Sequence, residues 1–403
     1  ASTPPAGERE QRLPQLQHTA LRIEVPEHEL YGCVHKLKDL SLNLEKELIT
    51  AVELDAKLAD EYERVAQEVE AFLMVPLAEE LATHFWPNST HGEHPLNPKQ
   101  LMLLPDRLLW GLPFERMASL LNLFGGVGNS SALARDLSLH LMAQRPGPSD
   151  PAAAAAVPPR PASTVLLTDA FNEDTLRASD NPKAETMGLM HERLVTNKVI
   201  SGGEKSLHGG RLTASPGDVK GMLADSTIFV ALGFGRFNAT LPSVPFAAQD
   251  LRHLKLLALF HRAVNDRAFR RQTKTDSAKT IRQISFEDNY CTPLIAAYRG
   301  VQCMLQTTGP SPANLMIQAT ETFSKALQAG KTAAKALEEV LLLQVESPEL
   351  RYQRILSGGA TPPPASGPDK QDLFPFHTKM VMHTVGPPWS PLEGGEVPGG
   401  KKK

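Results

Sequence analysis

The chain contains 403 residues with a formal net charge of −3, and 41% of its residues are hydrophobic and 22% charged. This balance gives no general argument for nucleic acid or membrane binding, and no apolar run approaches the roughly 18 residues that a membrane helix needs. The three scattered cysteines, Cys33, Cys291 and Cys303, form no metal-binding spacing, which favours reduced thiols in an intracellular protein.

Composition divides the chain into four parts. Residues 1–36 are predicted to be an extended N-terminal segment, and residues 37–99 a helical segment that leads into the main domain. Residues 100–345 are predicted to form an α/β domain with a Pro/Ala-rich insertion at 145–163. The Pro/Gly-rich tail, 346–403, buries too little apolar surface to fold alone and is expected to be disordered or extended. The chain begins at Ala1 and not at a methionine, as a piece of a longer polypeptide would.

The N-terminal half is predicted from its hydrophobic spacing. Apolar residues recur at helical steps over residues 37–84, with a break expected at Pro76, whose ring cannot continue a helix without strain. Residues 101–104 and 108–112 read as two paired strands around a Pro-Asp turn. Pro113 suits the first turn of a helix over 114–124.

The α/β pattern becomes clear after the insertion. Residues 164–168 form a predicted strand, followed by a helix over 181–196, a short strand at 199–200 and a helix over 216–224. The remaining predicted elements are strands at 228–232, 254–260 and 301–306 and helices at 291–298, 314–329 and 331–343; residues 374–385 either add one strand or dock as a peptide.

Two of these strands mark the place where a site would lie. Residues 228–232 and 254–260 are continuously apolar, which is typical of parallel strands buried on both faces. The first ends in Gly233-Phe234-Gly235, a turn where the backbone can bend sharply. Open α/β sheets place ligands and catalytic groups at such strand ends. Two other glycine-rich strings, 125–128 and 202–206, lack the order of nucleotide-binding motifs, so no cofactor is predicted.

Several strings, in this order, resemble the CHAT family of caspase-like domains related to separase. They are MLLPDRLLWGLPFERM (102–117), TVLLTDA (164–170), VISGG (199–203), DVKGMLADSTIFVALGFGRF (218–237), YRGVQCMLQTTGPSP (298–312) and NLMIQATETFSKALQAGKTAAKALEEV (314–340). The resemblance covers about residues 40–345. It implies a caspase-like, mostly parallel sheet flanked by helices.

The resemblance also implies where a catalytic dyad would be. In active members a histidine ends the central strand and a cysteine ends the next; here these positions fall on Phe234 and on Phe260 or His261. Thiolate attack needs a sulfur at the strand end and a base within hydrogen-bond reach. No cysteine lies between Cys33 and Cys291. We therefore predict a degenerate, non-catalytic domain with no metal or cofactor.

The strings at 112–115 and 134–139 resemble those of a ciliary member with a degenerate domain of this kind. This implies a structural role in a heteromeric microtubule assembly of the axonemal central apparatus. Large axonemal proteins and tubulin would be its partners, without nucleic acid or membrane. The basic stretch at 262–282 is then either a solvated surface or a contact for an acidic partner such as a tubulin tail.

Two alternatives stay open. One is a cysteine peptidase with a displaced nucleophile, Cys291, at a predicted helix start where the helix dipole lowers a thiol pKa, with His261, His253 or His208 as base. The other is a small-molecule or nucleotide site in which the turn at 233–235 offers backbone N–H groups to an anion. Arg236 is the one cation near that turn in sequence.

Overall fold

The structure is a computed structural model that describes residues 24–50, 56–85, 101–112, 114, 117, 133–144, 163–174, 186–210, 213–342 and 382–385. The insertion up to residue 162, the glycine string at 125–128, most of the helix predicted over 114–124 and most of the tail lie outside these residues, so their predictions stay predictions.

In the described part of the chain, one eight-stranded sheet forms the centre of the fold. Its strands run in the order β1-β2-β8-β7-β6-β5-β3-β4, and all neighbours are parallel except β7 and β8. The strands are β1 (Leu101–Leu103), β2 (Leu133–Arg135), β3 (Thr164–Thr168), β4 (Leu207–His208), β5 (Ile228–Phe234), β6 (Leu256–Ala263), β7 (Cys303–Thr307) and β8 (Met382–Val385).

Helices precede and flank this sheet. They are α1 (Glu27–Thr50), α2 (Ala56–Val69), α3 (Val75–Phe85), α4 (Leu139–Gln144), α5 (Met187–Thr196), α6 (Pro216–Asp225), α7 (Phe237–Thr240), α8 (Ser243–Ala247), α9 (Asp266–Asp276), α10 (Ile281–Ser285), α11 (Cys291–Tyr298), α12 (Ala313–Gln328) and α13 (Ala333–Leu342). The predicted fold class, a mostly parallel α/β sheet flanked by helices, is confirmed. Among the described helices, none is long and apolar enough to cross a membrane.

Strand β5 shows why helices pack against both faces of the sheet. Its side chains alternate between the two faces of the sheet, as the two-residue period of a strand requires. Val230 and Leu232 enter one apolar cluster, with residues of α5, α12 and α13. Phe229 and Ala231 enter a second cluster with residues of α6 and the segment after β5. Both faces are covered, which explains the unbroken apolar run in the sequence.

The N-terminal boundary differs from its prediction. Helix α1 begins at Glu27, inside the segment 1–36 that was predicted to be extended, so that prediction is wrong for its last ten residues. Glu27 and Glu29 place negative charge in the first turn, where it interacts favourably with the helix dipole. The N–H of Leu30 donates to the carbonyl of Pro26 and closes that turn.

Pro76 does not break the helix. A π-helical turn, Glu70–Met74, ends two residues before it, and α3 continues from Val75. The N–H of Val75 donates to the carbonyl of Glu70, five residues back. This wider turn accommodates proline, which has no N–H to donate and whose ring crowds the carbonyl four residues earlier.

Two predicted strands are wrong for local reasons. Residues 108–112 form successive turns, in which the N–H of Leu108 donates to the side chain of Asp106 at 2.8 Å and the N–H of Leu109 to its carbonyl at 3.0 Å. Residues 199–200 end α5 instead, because both N–H groups return to the carbonyl of Leu194 after Lys198 adopts φ +55°.

Candidate functional site

A small cleft that opens to solvent lies at the carboxyl ends of β3, β5 and β6. This is the edge where parallel sheets usually place ligands. The side chains at its wall that bear on function are Asp169, Glu173, Phe234, Arg236 and His261. The cleft therefore brings together the predicted dyad region and two carboxylates that were not predicted.

A backbone bulge joins the ends of β5 and β6. Leu232 pairs with Phe260, but Phe234 pairs with Ala263, so β6 contains one extra residue at this point. Arg262 has φ +71°, and its N–H donates to the carbonyl of Gly235 at 2.8 Å. The N–H of Gly235 in turn donates to the carbonyl of Ala263 at 3.2 Å, so this turn amide is already engaged and is not offered to an anion.

The two phenylalanines of the predicted dyad have different positions. Phe234 lines the cleft and also belongs to an apolar cluster, with 6% of its surface exposed. Phe260 is fully buried and packs edge-on against Phe323, with ring centroids 5.4 Å apart. Of the two candidates for the thiol position, His261 reaches the cleft, whereas Phe260 faces the core.

His261 is a buried, neutral imidazole. Burial, with the nearby charge of Arg262, lowers its pKa to about 3. Its Nδ1 lies 3.1 Å from the carbonyl of Leu259, and the neutral ring satisfies that carbonyl when the proton is on Nδ1. The backbone N–H of His261 donates to Oγ1 of Thr307 at 3.2 Å. The ring is thus held by its own strand, and the backbone beside it by β7.

Cys291 is not an activated thiol. It begins α11, as predicted, but its pKa is raised to about 11 by burial and by the carboxylate of Asp288. The same carboxylate accepts the N–H of Cys291 at 2.6 Å. These effects exceed the lowering that the helix N-terminus was predicted to cause. Cys291 does not line the cleft.

The other predicted bases also lie away from the cleft wall. Nε2 of His253 lies 2.9 Å from the carbonyl of Leu223. His208 shares Oγ1 of Thr168 with a second imidazole, His191, at 3.2 and 2.7 Å. His191 was not predicted; burial, with the neighbouring His208, lowers its pKa to about 4.

Arg236 is engaged in an internal ion cluster. It pairs with Asp276 and lies 3.5 Å from Glu287, and Lys279 donates to Glu287 at 2.8 and 3.0 Å. Only 12% of the Arg236 side chain is exposed. The cation that was predicted to assist anion binding therefore already has two carboxylate neighbours and ties α9 to the turn after β5.

Two carboxylates after β3 complete the wall. Asp169 is 1% exposed with φ +44°, and its oxygens accept the N–H groups of Glu173 and Asp174 at 2.7 and 2.9 Å. Burial outweighs these bonds and raises its pKa to about 6. Glu173 pairs with Arg271, whose guanidinium lies 3.9 Å from the ring centroid of Phe171. The sequence signal for them was the position of Asp169 directly after the predicted strand, with Glu173 four residues further on.

A metal centre finds no support in this geometry. Among the described residues, no group of three or more His, Cys, Asp or Glu side chains is placed to hold a metal ion. The carboxylates of the cleft are instead bonded to backbone N–H groups or to arginine.

No family model and no curated protein matches the chain. Among solved structures, it is similar to a chain in the 2.6 Å crystal structure of the Saccharomyces cerevisiae separase–securin complex, with a TM-score of 0.42 and 9% identity over 91% of this chain. The 3.0 Å structure of the same complex gives a TM-score of 0.43 and 11% identity over 91% of this chain. The chain spans 23% and 22% of the length of those two chains.

Proposed function

We propose that this chain is a non-catalytic protein-binding platform, a pseudo-peptidase in which the strand-end cleft has lost its chemistry. This proposal rests on which residues lie at the ends of β5 and β6. Phe234 stands at one and the buried imidazole of His261 at the other, and no sulfur lines the cleft among the described residues. A phenyl ring cannot accept a proton, and a lone imidazole has no nucleophile to activate.

The alternative, a cysteine peptidase that uses Cys291, is disfavoured by electrostatics. A catalytic thiol is normally held as a thiolate by a nearby cation or by an acid–base partner. Here a carboxylate, Asp288, is the charged neighbour that raises the pKa of the thiol. Arg107, whose charge acts against this rise, is paired with the same carboxylate at 2.8 Å.

The cellular setting belongs to this proposal as well. The strings at 112–115 and 134–139 resemble the C-terminal part of cilia- and flagella-associated protein 46, a large helical-repeat protein of the axonemal central apparatus. This supports a platform in the cilium or flagellum, inside a heteromeric microtubule assembly. Its partners would be large axonemal proteins and tubulin, with neither nucleic acid nor membrane involved.

The catalytic half of the proposal is tested with a thiol-reactive peptide probe. The wild-type chain and the variants Cys291→Ala and Cys33→Ala are labelled in parallel with a peptidyl electrophile and with its non-peptide electrophile alone. We expect slow labelling of Cys291 with no preference for the peptide. Selective, peptide-dependent labelling of Cys291 that is abolished in His261→Gln would establish the peptidase instead.

The partner half is tested by affinity purification from ciliated cells followed by mass spectrometry. We expect tubulin and axonemal proteins to be enriched over a tagged, unrelated α/β protein of similar size. Enrichment of other cytosolic proteins alone would remove the ciliary setting and keep the platform. The absence of any specific partner would remove both.

A further inference from the structure

Helix α9 divides its charges between an inner and an outer face. On the inner face, Arg271 donates to Glu173 at 2.5 and 3.0 Å, and Asp276 pairs with Arg236. These ion pairs hold the helix against the rim of the cleft. The outer face carries Arg267, Arg270 and Lys274, which are all exposed.

The three outer cations form a continuous surface, which we call the basic stripe (Arg267, Arg270 and Lys274). They are three and four residues apart and therefore lie on one side of the helix. Seven residues of helix separate the first from the last, a rise of about 10 Å. Arg270 contacts Asp266 at 2.9 Å, but both side chains are largely exposed, at 78% and 56%.

The other two members of the stripe lack a counter-ion among the residues that the structure describes. Within the described residues, no carboxylate lies within ion-pair distance of Arg267 or Lys274. The whole segment 262–282 contains seven basic and two acidic residues, although the chain has a net charge of −3. The positive potential of the stripe is therefore a local feature that an anionic partner would neutralise.

We propose that the basic stripe binds an acidic polypeptide segment. This rests on the platform function proposed above and gives the chemistry of one partner. Neighbouring stripe positions rise by about 4.5 and 6 Å along the helix, and their long, exposed side chains can spread to meet carboxylates that recur every 6.6–7 Å on one face of an extended peptide. Arginine, at two of the three positions, can hold a carboxylate with two parallel hydrogen bonds.

A polypeptide fits this surface better than a nucleic acid does. Phe269 is the only aromatic residue in α9, and proteins that bind single strands interleave several aromatic rings with their cations. The stripe is also short, and the remainder of the chain is negatively charged, which disfavours a long polyanion.

The test uses the full chain and a fluorescent ten-residue glutamate peptide, with binding followed by anisotropy at low and physiological salt. The stripe variant is Arg267→Glu/Lys274→Glu. The control variant, Lys198→Glu/Lys335→Glu, makes the same charge change at exposed lysines elsewhere. We expect about a tenfold or greater loss for the stripe variant, less than about a twofold change for the control, and weaker wild-type binding at high salt.

Thermal melts confirm that each variant is folded, and Arg267→Gln/Lys274→Gln should lose an intermediate amount of affinity.

Equal binding by the stripe and control variants overturns the proposal. So does tighter, stripe-dependent binding of a single-stranded DNA of the same charge. If the stripe variant captures the same axonemal proteins undiminished and still binds the glutamate peptide, the stripe proposal fails while the platform function stands. If the wild-type chain captures no specific partner of any kind yet binds the peptide through the stripe, the platform function fails while the stripe proposal stands.

Discussion

Arg271 makes a two-pronged ion pair with Glu173, which lies 98 residues earlier in the chain. Its Nε and Nη2 donate to the two carboxylate oxygens, and only 3% of the Glu173 side chain is exposed, against 23% for Arg271. The pair joins the loop after β3 to helix α9 at the wall of the cleft. The shape of this rim therefore depends on a contact between distant parts of the sequence.

We predict that Arg271→Ala lowers the free energy of unfolding by about 3 kcal/mol, because it leaves the buried carboxylate of Glu173 without its cation. Arg270→Ala is the matched control: its exposed pair with Asp266 should contribute less than about 1 kcal/mol. Urea denaturation followed by circular dichroism measures both values. Equal losses in the two variants would show that the Glu173 pair has no special stabilising role.

The turn after β5 should reject a side chain at one glycine and accept it at the other. Gly235 has φ +69°, and a Cβ there would lie 2.6 Å from Oε1 of Gln272. Gly233 has no heavy atom within 4 Å of that position and no positive φ. We predict a loss of about 1–2 kcal/mol for Gly235→Ala and about 1 kcal/mol less for Gly233→Ala, measured by denaturant unfolding. A costlier Gly233→Ala would contradict this turn geometry.

Stability should fall on acidification below pH 6.5. His261 and His191 have pKa values of about 3 and about 4 in the folded chain. Below pH 6.5 these two imidazoles therefore bind protons in the unfolded chain that they do not bind in the folded chain. Each contributes about 1.4 kcal/mol of lost stability per pH unit. Asp169, with a pKa of about 6, acts oppositely between pH 4 and 6, because there the folded chain holds the proton. In that range, the three groups together make the unfolded chain bind one more proton than the folded chain, so the free energy of unfolding falls by about 1.4 kcal/mol for each pH unit of acidification.

Urea unfolding at several pH values between 4.5 and 7.5 measures this slope. In His261→Gln the remaining contributions of His191 and Asp169 cancel, so the slope between pH 4 and 6 should fall by about 1.4 kcal/mol per unit. His35→Gln, on an exposed part of α1, should keep the wild-type slope. An unchanged slope in His261→Gln would mean that this imidazole is accessible to protons in the folded chain.

The thiol of Cys291 should react slowly at neutral pH. In a Cys33→Ser variant, alkylation of Cys291 should keep accelerating up to about pH 11, because burial and Asp288 raise the pKa of the thiol to about 11. An ordinary cysteine levels off near its pKa of about 8.5. Cys291→Ser identifies the signal of Cys33 separately. A plateau at or below pH 8 would show an activated thiol and would favour the peptidase alternative.

Much of the central sheet was readable from neighbouring residues. The apolar run at 228–232 predicted β5, and the bounds of α11 match their prediction, since both depend on periodicities within a few residues. The absence of a histidine at position 234 was also evident from the strand-end turn. By contrast, the start of α1 is marked by the charges and the hydrogen bond of its first turn, and the helix continues past Pro76 through a π-helical turn; no simple periodicity encodes either feature.

The amino-acid sequence by itself determined that this chain forms a buried parallel sheet and that no cysteine stands at the ends of its two central strands. Only the tertiary structure decided which side chain there faces the cleft. Phe260 pairs in register with Leu232 and its ring lies in the core, whereas His261, next along β6 at the start of a one-residue bulge, lines the wall. Folding likewise joined Glu173 to Arg271 and Arg236 to Asp276. Strand formation depends on nearby residues, whereas these ion pairs depend on the path of the chain across the sheet.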